Sequence, residues 1–274
     1  MLKHKVKSAL KALWKDFRFN LSATDHPVFN LYYKYLYKPQ KGSLSEFLSA
    51  YSRSKKGDFW VIQIGANDGI THDPIHKFIK RDQWKGVLLE PQPDVFRNEL
   101  RKIYQHNKGI TPICAAIGNE DGVQNLYKIG FSTMRWATGL ASFSKEKIDQ
   151  LFVEGIVQKN CQKYGIEIPS DPDQQITSEE VQVICPKTLL ETYAITQIDL
   201  LQIDAEGYDL EVIRIFDIPK TKPNAIIFEN ENLNPSDLEE CYELLESEDY
   251  LLRKFGRDTL ALKKNLNQLN EFFD

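Results

Sequence analysis

A chain of 274 residues with 42% hydrophobic side chains can bury a full core, and one α/β domain with an N-terminal extension fits this length better than two equal domains. Its 35 basic and 39 acidic side chains leave a net charge of −4, which excludes a strong overall attraction to nucleic acid. The four cysteines form no CxxC pair, so we expect neither structural zinc nor disulfides. No stretch approaches the ~20 apolar residues that span a bilayer, and the N-terminus lacks an apolar signal-peptide core. We therefore expect a cytoplasmic protein.

Residues 1–52 are predicted to form a helical extension ahead of a main domain that covers residues 53–274. Within the extension, residues 1–20 carry apolar side chains at helical spacing and six basic residues against Asp16 alone, which is typical of a basic amphipathic helix. We favour docking of this helix on its own protein or on a partner subunit, and peripheral contact with an anionic membrane is the alternative. A tyrosine-rich run at residues 32–37 could cover the active site, form a dimer contact or fill a groove.

From residue 59 onward, short apolar runs alternate with helical patterns. The predicted strands cover residues 59–64, 86–90, 110–117, 198–203 and 225–228, followed by a hairpin of 250–255 and 259–263, and the predicted helices cover 44–52, 73–80, 94–104, 188–193, 208–216 and 235–246. This alternation predicts a parallel sheet with right-handed crossovers, which binds its ligand at the carboxyl ends of the strands where the strand order reverses.

One stretch, residues 121–185, breaks the alternation and is interpreted as an insertion. It is predicted to contain an extra strand at 123–129, a helix at 145–164 and an exposed polar loop at 169–178. We expect this insertion to form part of the wall that faces the acceptor substrate.

Two features follow the first two predicted strands. The bend Gly65-Ala66-Asn67-Asp68-Gly69 comes after the first strand, where glycines allow a tight turn and a close approach to an anionic ligand. Glu90 comes after the second strand, twenty-one positions beyond Gly69, where a carboxylate can accept hydrogen bonds from both ribose hydroxyls. Each feature alone also fits an ordinary turn or a solvated carboxylate, but together they predict a pocket for a ribose-bearing ligand.

Three segments resemble the signature motifs of FkbM-type methyltransferases. They are Val61–Gly69 (VIQIGANDG), Leu89–Pro93 (LEPQP) and Ile203–Asp209 (IDAEGYD), and the resemblance extends from about residue 58 to about residue 263. It implies an α/β fold of the Rossmann-like class I methyltransferase type, with a mostly parallel seven-stranded sheet that ends in an antiparallel hairpin. It also implies S-adenosylmethionine as the methyl donor, and an oxygen acceptor on a sugar or another natural product.

The resemblance assigns a set of cofactor-binding residues at the strand ends. They are Gly65, Ala66, Asn67, Asp68, Gly69, Glu90, Pro91, Gln92, Ala115, Ala116 and Asp204. In this scheme the glycine bend borders the methionine end of the donor, Glu90 holds the ribose, and the two alanines let the adenine lie close to the backbone.

Two carboxylates after the central strand are the candidate catalytic residues. Asp204 should face the transferred methyl group and is the first choice for positioning the acceptor or removing its proton, with Glu206 second. The alternative is structural, since Asp204 could bind backbone amides and Glu206 could cap the next helix.

Glu229, Asn230 and His72 are expected to line the acceptor pocket. With Asp204, the consecutive residues Glu229, Asn230 and Glu231 could instead contribute oxygen ligands to a divalent cation, but a metal site is not favoured. His72 and His76 form an i, i+4 pair without an identified third ligand, so both are interpreted as surface or substrate-side groups.

Two other functional classes remain open at this point. A nicotinamide-dependent oxidoreductase also uses a ribose-binding carboxylate, but the bend at residues 65–69 is not Gly-x-Gly-x-x-Gly, and the final hairpin suits a methyltransferase. A non-catalytic nucleoside-binding protein on the same fold is the second alternative. The expected partner is a small-molecule or saccharide acceptor rather than nucleic acid, and a homo-oligomer is left open.

Overall fold

A seven-stranded sheet forms the centre of the computed structural model, which describes residue 14 and residues 17–273. Its strands are β1 (Trp60–Ile64), β2 (Lys85–Leu89), β3 (Ile110–Ile113), β7 (Leu200–Ile203), β8 (Ala225–Glu229), β9 (Tyr250–Phe255) and β10 (Asp258–Lys263). They lie in the order β3-β2-β1-β7-β8-β10-β9, and only the pairings of β10 are antiparallel. The predicted Rossmann-like sheet with its C-terminal hairpin is therefore confirmed.

A second, three-stranded sheet comes from the predicted insertion. It contains β4 (Ala116–Ile117), β5 (Gly122–Ile129) and β6 (Ile176–Ile184) in the order β4-β6-β5. The predicted strand at 123–129 corresponds to β5, which pairs with β6 along its whole length.

Helices cover both faces of the central sheet. They are α1 (residues 17–23), α2 (Pro27–Leu31), α3 (Leu44–Ser54), α4 (His76–Asp82), α5 (Pro93–Val95), α6 (Arg101–Tyr104), α7 (Arg135–Thr138), α8 (Lys145–Val153), α9 (Ile156–Tyr164), α10 (Pro172–Gln175), α11 (Pro186–Thr192), α12 (Asp209–Ile215), α13 (Ile218–Thr221) and α14 (Pro235–Ser247). Wider π-helical turns at Tyr32–Leu36 and Phe96–Leu100 continue α2 and join α5 to α6, and a 3₁₀ helix covers Asn267–Phe272.

Strand alternation divides the core into two layers. Val61 of β1 packs with α3 and α4 on one face, whereas Ile62 packs with α11 and α12 on the other. Both side chains are essentially inaccessible to solvent, and burying each stabilises the fold by roughly 1.5–3 kcal/mol. Since β1, β7 and β8 are covered on both faces, their sequences are almost continuously apolar.

Three predictions in the insertion or just before it are wrong in detail. The strand expected at 110–117 is split between the two sheets as β3 and β4. The helix expected at 145–164 is broken at Gly155, whose left-handed backbone (φ 75°) separates α8 from α9. The loop expected at 169–178 includes the first residues of β6. Only Val181 and Val183 of this strand are buried, so its sequence lacks the apolar pattern that would have predicted a strand.

The N-terminal extension is only partly described. Most of the predicted helix at residues 1–20 lies outside the described residues, while α1 to α3 pack on the main domain through side chains such as Phe47 and Leu48, which share a core layer with β1. The domain division at residue 52 stays a prediction. No helix in the described part of the chain has the length and apolarity needed to cross a bilayer.

Candidate active site

The carboxyl ends of β1, β2 and β7 are tied together by backbone hydrogen bonds. The amides of Gly65 and Ala66 both donate to the carbonyl oxygen of Leu89, at 3.1 and 2.9 Å, and the amide of Asp204 donates to that of Ile64 at 3.0 Å. The strand order reverses between β1 and β7, because β2 lies on one side of β1 and β7 on the other. This is the position where parallel α/β sheets bind ligands.

Gly65 is required by the contact between two strands. Its backbone is left-handed (φ 76°), and a methyl group at this position would overlap the carbonyl oxygen of Asp204. The absence of a side chain therefore lets the ends of β1 and β7 approach each other, which brings Asp204 to the edge of the cleft.

Glu90 is a buried carboxylate that holds two loops. One oxygen accepts a hydrogen bond from the amide of Asn67 (2.8 Å), and the other accepts from the amide (2.9 Å) and the side chain of Gln92. Burial raises the pKa of Glu90 to about 7, although these hydrogen bonds oppose the shift. Each carboxylate oxygen can accept more than one hydrogen bond, so Glu90 keeps capacity for a ligand hydroxyl.

The first cleft lies over these strand ends and, with its open mouth included, contains about 740 Å³ of space between protein atoms. The predicted cofactor residues that line it are Gly65, Asn67, Glu90, Pro91, Gln92, Ala115, Ala116 and Asp204. Leu89, Ile117 and Leu126 contribute apolar walls beside them.

The remaining predicted cofactor residues have local structural roles. Ala66 is buried and bonded to Leu89 through its amide, as described above. One carboxylate oxygen of Asp68 accepts from the amides of Ile70 and Thr71, and Gly69 packs its α-carbon against Leu100. These three residues shape the bend rather than the cleft wall.

A second cleft adjoins the first and is more polar. Its lining includes His72, Trp136, Tyr164, Gln202, Glu229, Arg257 and Asp258. The two clefts share four residues: Arg135, Gly139, Asp204 and Glu206. A ligand in the first cleft and a ligand in the second would therefore meet at Asp204 and Glu206.

The shared carboxylates have an acidic environment. Burial and the neighbouring charges of Asp204 and Glu229 raise the pKa of Glu206 to about 8, while Arg135, whose Nη1 lies 3.8 Å from Glu206 Oε1, opposes the shift. Burial also raises the pKa of Asp204. Within the described residues, the Asp204 carboxylate has no hydrogen-bond partner, and no side-chain cap is formed by Glu206 at α12.

Asp204, Glu206 and Glu229 have carboxylate oxygens within 4.8 Å of one another, an arrangement that could hold a metal ion. Hard divalent cations prefer such oxygen ligands. However, Arg257 already forms ion pairs with Glu229 and Glu231, so a cation would compete with a guanidinium group for the same oxygens.

Of the three residues predicted to line the acceptor pocket, two line the second cleft and one is buried outside both clefts. Glu229 and His72 line the second cleft, where His72 is exposed. The Asn230 side chain is buried and donates to Thr259 Oγ1 at 3.1 Å, outside the lining of both clefts.

The expectation that His76 is a surface or substrate-side group is wrong. Only 2% of His76 is exposed, and its ring nitrogens lie 3.0 Å from Ser22 Oγ and 3.1 Å from the Tyr104 hydroxyl. The helix predicted at 73–80 starts later than expected, because α4 begins at His76. Asp73 Oδ1 still accepts from the amides of Ile75 and His76.

Sequence reasoning missed Arg135, Gln202, Arg257 and Asp258. Three of these lie in the insertion or in the hairpin, far in sequence from the strand-end motifs. Gln202 could have been noticed in the sequence, because it is a polar residue within an otherwise apolar strand. In the structure it pairs in register with Gln63 of β1. Both glutamines are 2% exposed, and within the described residues their Oε1 atoms have no hydrogen-bond partner.

Comparisons with known proteins found one family model and several solved structures that are similar to this chain. A family model described as "Methyltransferase FkbM domain" matches residues 63–252. The chain is similar to the solved methyltransferase FkbM from Methylobacillus flagellatus KT, with 14% identity over 85% of this chain and 50% of that chain, at a TM-score of 0.42. It is also similar to a precorrin-6y C5,15-methyltransferase from Geobacter metallireducens GS-15, with 13% identity over 84% of this chain and 92% of that chain, at a TM-score of 0.37.

An O-methyltransferase from Bacillus cereus in complex with SAH is similar at 11% identity over 88% of this chain and 100% of that chain, with a TM-score of 0.34. The chain spans half the length of the Methylobacillus structure. The comparison with curated proteins finds no match.

Proposed function

This chain belongs to the FkbM methyltransferase family, and on that premise we propose that it transfers a methyl group from S-adenosylmethionine to a hydroxyl oxygen. The observation that carries the proposal is the junction of the two clefts at Arg135, Gly139, Asp204 and Glu206. Methyl transfer is an in-line displacement, so donor and acceptor must meet at one point with little freedom.

The first cleft fits the donor. Glu90 presents a carboxylate at the end of β2 to the ribose hydroxyls, and the backbone beside Ala115 and Ala116 leaves a flat apolar surface for the adenine. When bound, the donor supplies a methyl group already activated by a sulfonium. The protein therefore has to align the two reactants, exclude water and accept one proton from the acceptor.

We assign the acceptor chemistry to the shared carboxylates. Asp204, which has no hydrogen-bond partner of its own among the described residues, accepts a hydrogen bond from a neighbouring hydroxyl of the acceptor and so orients the acceptor in the second cleft. Glu206, whose pKa is about 8, accepts the hydrogen bond of the reacting hydroxyl and would receive its proton. Arg135 lies beside Glu206 and favours its charged form before the reaction.

The second cleft supports a sugar or another polyhydroxylated natural product as acceptor. Glu229 and Gln202 offer acceptors for several hydroxyl groups, and Trp136 presents an aromatic ring that can pack on a sugar face. A divalent metal is not required in this mechanism, so we expect a chelator to leave the activity unchanged.

Calorimetric titration with S-adenosylmethionine, S-adenosylhomocysteine and NADH tests the cofactor. We expect both S-adenosyl compounds to bind and NADH to bind far more weakly. The reverse order would replace the proposal with a nicotinamide-dependent oxidoreductase. A screen of hydroxylated metabolites and saccharides with isotopically labelled methyl donor, read by mass spectrometry, then identifies the acceptor. Donor binding without any labelled product in that screen would favour a non-catalytic nucleoside-binding protein.

A further inference from the structure

One helical segment near the N-terminus shows an exposed apolar face. Val28, Leu31, Tyr32, Tyr35 and Leu36, here called the outer stripe, follow the i, i+3, i+4, i+7, i+8 spacing of one helix face. All five are exposed, and the exposed fraction reaches 66% at Tyr35 and 71% at Leu36. Contiguous exposed apolar side chains are uncommon on monomeric proteins and mark interaction sites.

The opposite face of the same segment already packs on the protein. Phe29 is buried, with its ring centroid 4.7 Å from Tyr33 and 5.8 Å from His76. Tyr33 in turn lies 5.4 Å from Tyr37. The segment therefore has two apolar faces, and within the described part of the chain only one of them is packed.

A buried ion pair fixes this segment in place. The Lys80 ammonium of α4, whose side chain is 1% exposed, donates to the Asp25 carboxylate at 2.6 Å and to the carbonyl oxygen of Ser22 at 3.2 Å. These contacts hold the turn between α1 and α2 against the main domain. The outer stripe is consequently held facing outward and is not free to fold inward.

The charge around the outer stripe has one sign. Residues 26–45 contain Lys34, Lys38 and Lys41 and no acidic residue, and all three lysines are exposed. Residues 1–45 together carry nine basic residues against two acidic ones, although the whole chain has a net charge of −4. One of the two acidic residues, Asp25, is neutralised by Lys80. The basic charge is thus concentrated in the part of the chain that also carries the exposed apolar face.

We propose that the outer stripe and its three lysines dock on the anionic surface of a lipid membrane. Leucine and valine side chains can enter the boundary of the acyl chains, tyrosines suit the headgroup region, and lysines extend their amines to anionic headgroups. Docking against a second copy through the same face would bring two sets of lysines together, which is electrostatically unfavourable. This inference does not depend on the proposed methyl transfer.

Co-sedimentation of the full chain with lipid vesicles tests the proposal. Vesicles of phosphatidylcholine alone are compared with vesicles that also contain phosphatidylserine, at low and high salt. We expect binding to the anionic vesicles that weakens as salt is added, because salt screens the lysines. A chain that stays in the supernatant with both kinds of vesicle overturns the proposal.

Two triple variants separate the apolar and basic contributions. We expect L31S/Y35S/L36S to reduce vesicle binding at least tenfold and K34Q/K38Q/K41Q to remove the preference for anionic lipid. The matched control is V123S/V153S, which removes two exposed apolar side chains from the distant β5 and α8 and should bind as the parent does.

Far-ultraviolet circular dichroism and thermal unfolding check that each variant is folded. Unchanged vesicle binding by folded L31S/Y35S/L36S contradicts the proposal, because another part of the chain would then be responsible. Light scattering tests the competing occupant, a second copy of the chain. If the parent is a dimer that does not bind vesicles, and L31S/Y35S/L36S is a monomer, the outer stripe is a protein interface and the proposal is wrong.

Discussion

The backbone of Gly65 lies against the carbonyl oxygen of Asp204 so closely that no side chain fits between them. Gly65 directly follows β1 and Asp204 directly follows β7, so this contact joins the two strands at which the sheet order reverses. The glycine bend therefore positions the acidic residue proposed to orient the acceptor.

Gly65→Ala is expected to destabilise the fold by about 2–5 kcal/mol, because a left-handed alanine costs roughly 1–2 kcal/mol and overlap with packed backbone adds about 1–3 kcal/mol. Gly256→Ala is the matched control, since Gly256 also has a positive φ (65°) but has no atom near the added methyl group. Urea unfolding measures both variants. Equal losses would show that the Asp204 contact does not constrain residue 65.

Replacing Glu90 tests the donor cleft. Glu90→Ala removes the proposed acceptor of the ribose hydroxyls and the anchor of the Asn67 and Gln92 amides, so we expect calorimetry to show roughly 10- to 100-fold weaker donor binding, equivalent to about 1.4–2.8 kcal/mol. Glu90→Gln keeps one carbonyl oxygen and should lose less. Donor affinity equal to that of the parent in the alanine variant would remove Glu90 from the binding site.

Asp204→Asn should affect turnover rather than donor affinity. The amide keeps the size of the side chain but weakens the hydrogen bond that orients the acceptor, so we expect kcat to fall about 10²-fold while calorimetric donor binding changes little. Steady-state kinetics with the identified acceptor measures the split. Parallel losses of donor affinity and kcat would show instead that Asp204 acts mainly on the donor.

The pH profile of kcat should report Glu206. Because burial and nearby carboxylates raise its pKa to about 8, a base at this position is mostly protonated at neutral pH, and kcat should rise with pH through about 8. Saturating donor removes the separate contribution of Glu90, whose pKa is about 7. In Glu206→Gln, kcat should be low and this rising limb absent; an unchanged limb would assign it to another group.

Thermal unfolding gives an independent readout of the same pKa. A carboxyl group whose pKa is raised by folding binds more protons in the native state, so its contribution to stability is lost as pH rises from about 4.5 toward 8. The midpoint of unfolding should therefore fall less steeply across this range in Glu206→Gln than in the parent. Parallel curves would show that the environment of Glu206 does not penalise its charge.

Asp199 lies at the opposite edge of the sheet, and we expect its replacement to affect stability but not donor affinity. Its buried carboxylate accepts from Lys55 Nζ at 2.7 Å, from the Trp60 amide at 2.9 Å and from the Asn224 side chain at 3.0 Å. Asp199→Ala leaves these donors unpaired and is expected to cost about 3–5 kcal/mol.

Asp58→Ala is the matched control for Asp199, because it breaks an exposed ion pair with Lys85 that is worth about 1 kcal/mol or less. Denaturant unfolding compares the two variants, and the folded fraction of each should retain donor affinity. A small loss in Asp199→Ala would mean that water replaces the missing carboxylate.

The sequence by itself determined the central sheet. Largely apolar runs such as 60–64 and 200–203 have the length and composition of strands buried on both faces, and their alternation with helical patterns predicts a parallel sheet with its ligand at the carboxyl edge. The strand-end positions of Glu90 and Asp204 follow directly from that periodicity. Only local, repeating patterns were needed for these conclusions.

Tertiary structure alone decided how the two clefts are completed. Arg135 comes from the insertion and Arg257 from the hairpin, and no spacing in the sequence brings either next to Glu206 or Glu229. The sequence did not predict β6, because the polar composition of this segment does not indicate a strand. Its backbone hydrogen bonds are formed with a partner strand that lies elsewhere in the sequence. Contacts between distant segments depend on chain packing in three dimensions, whereas hydrophobic periodicity records only which face of each element is buried.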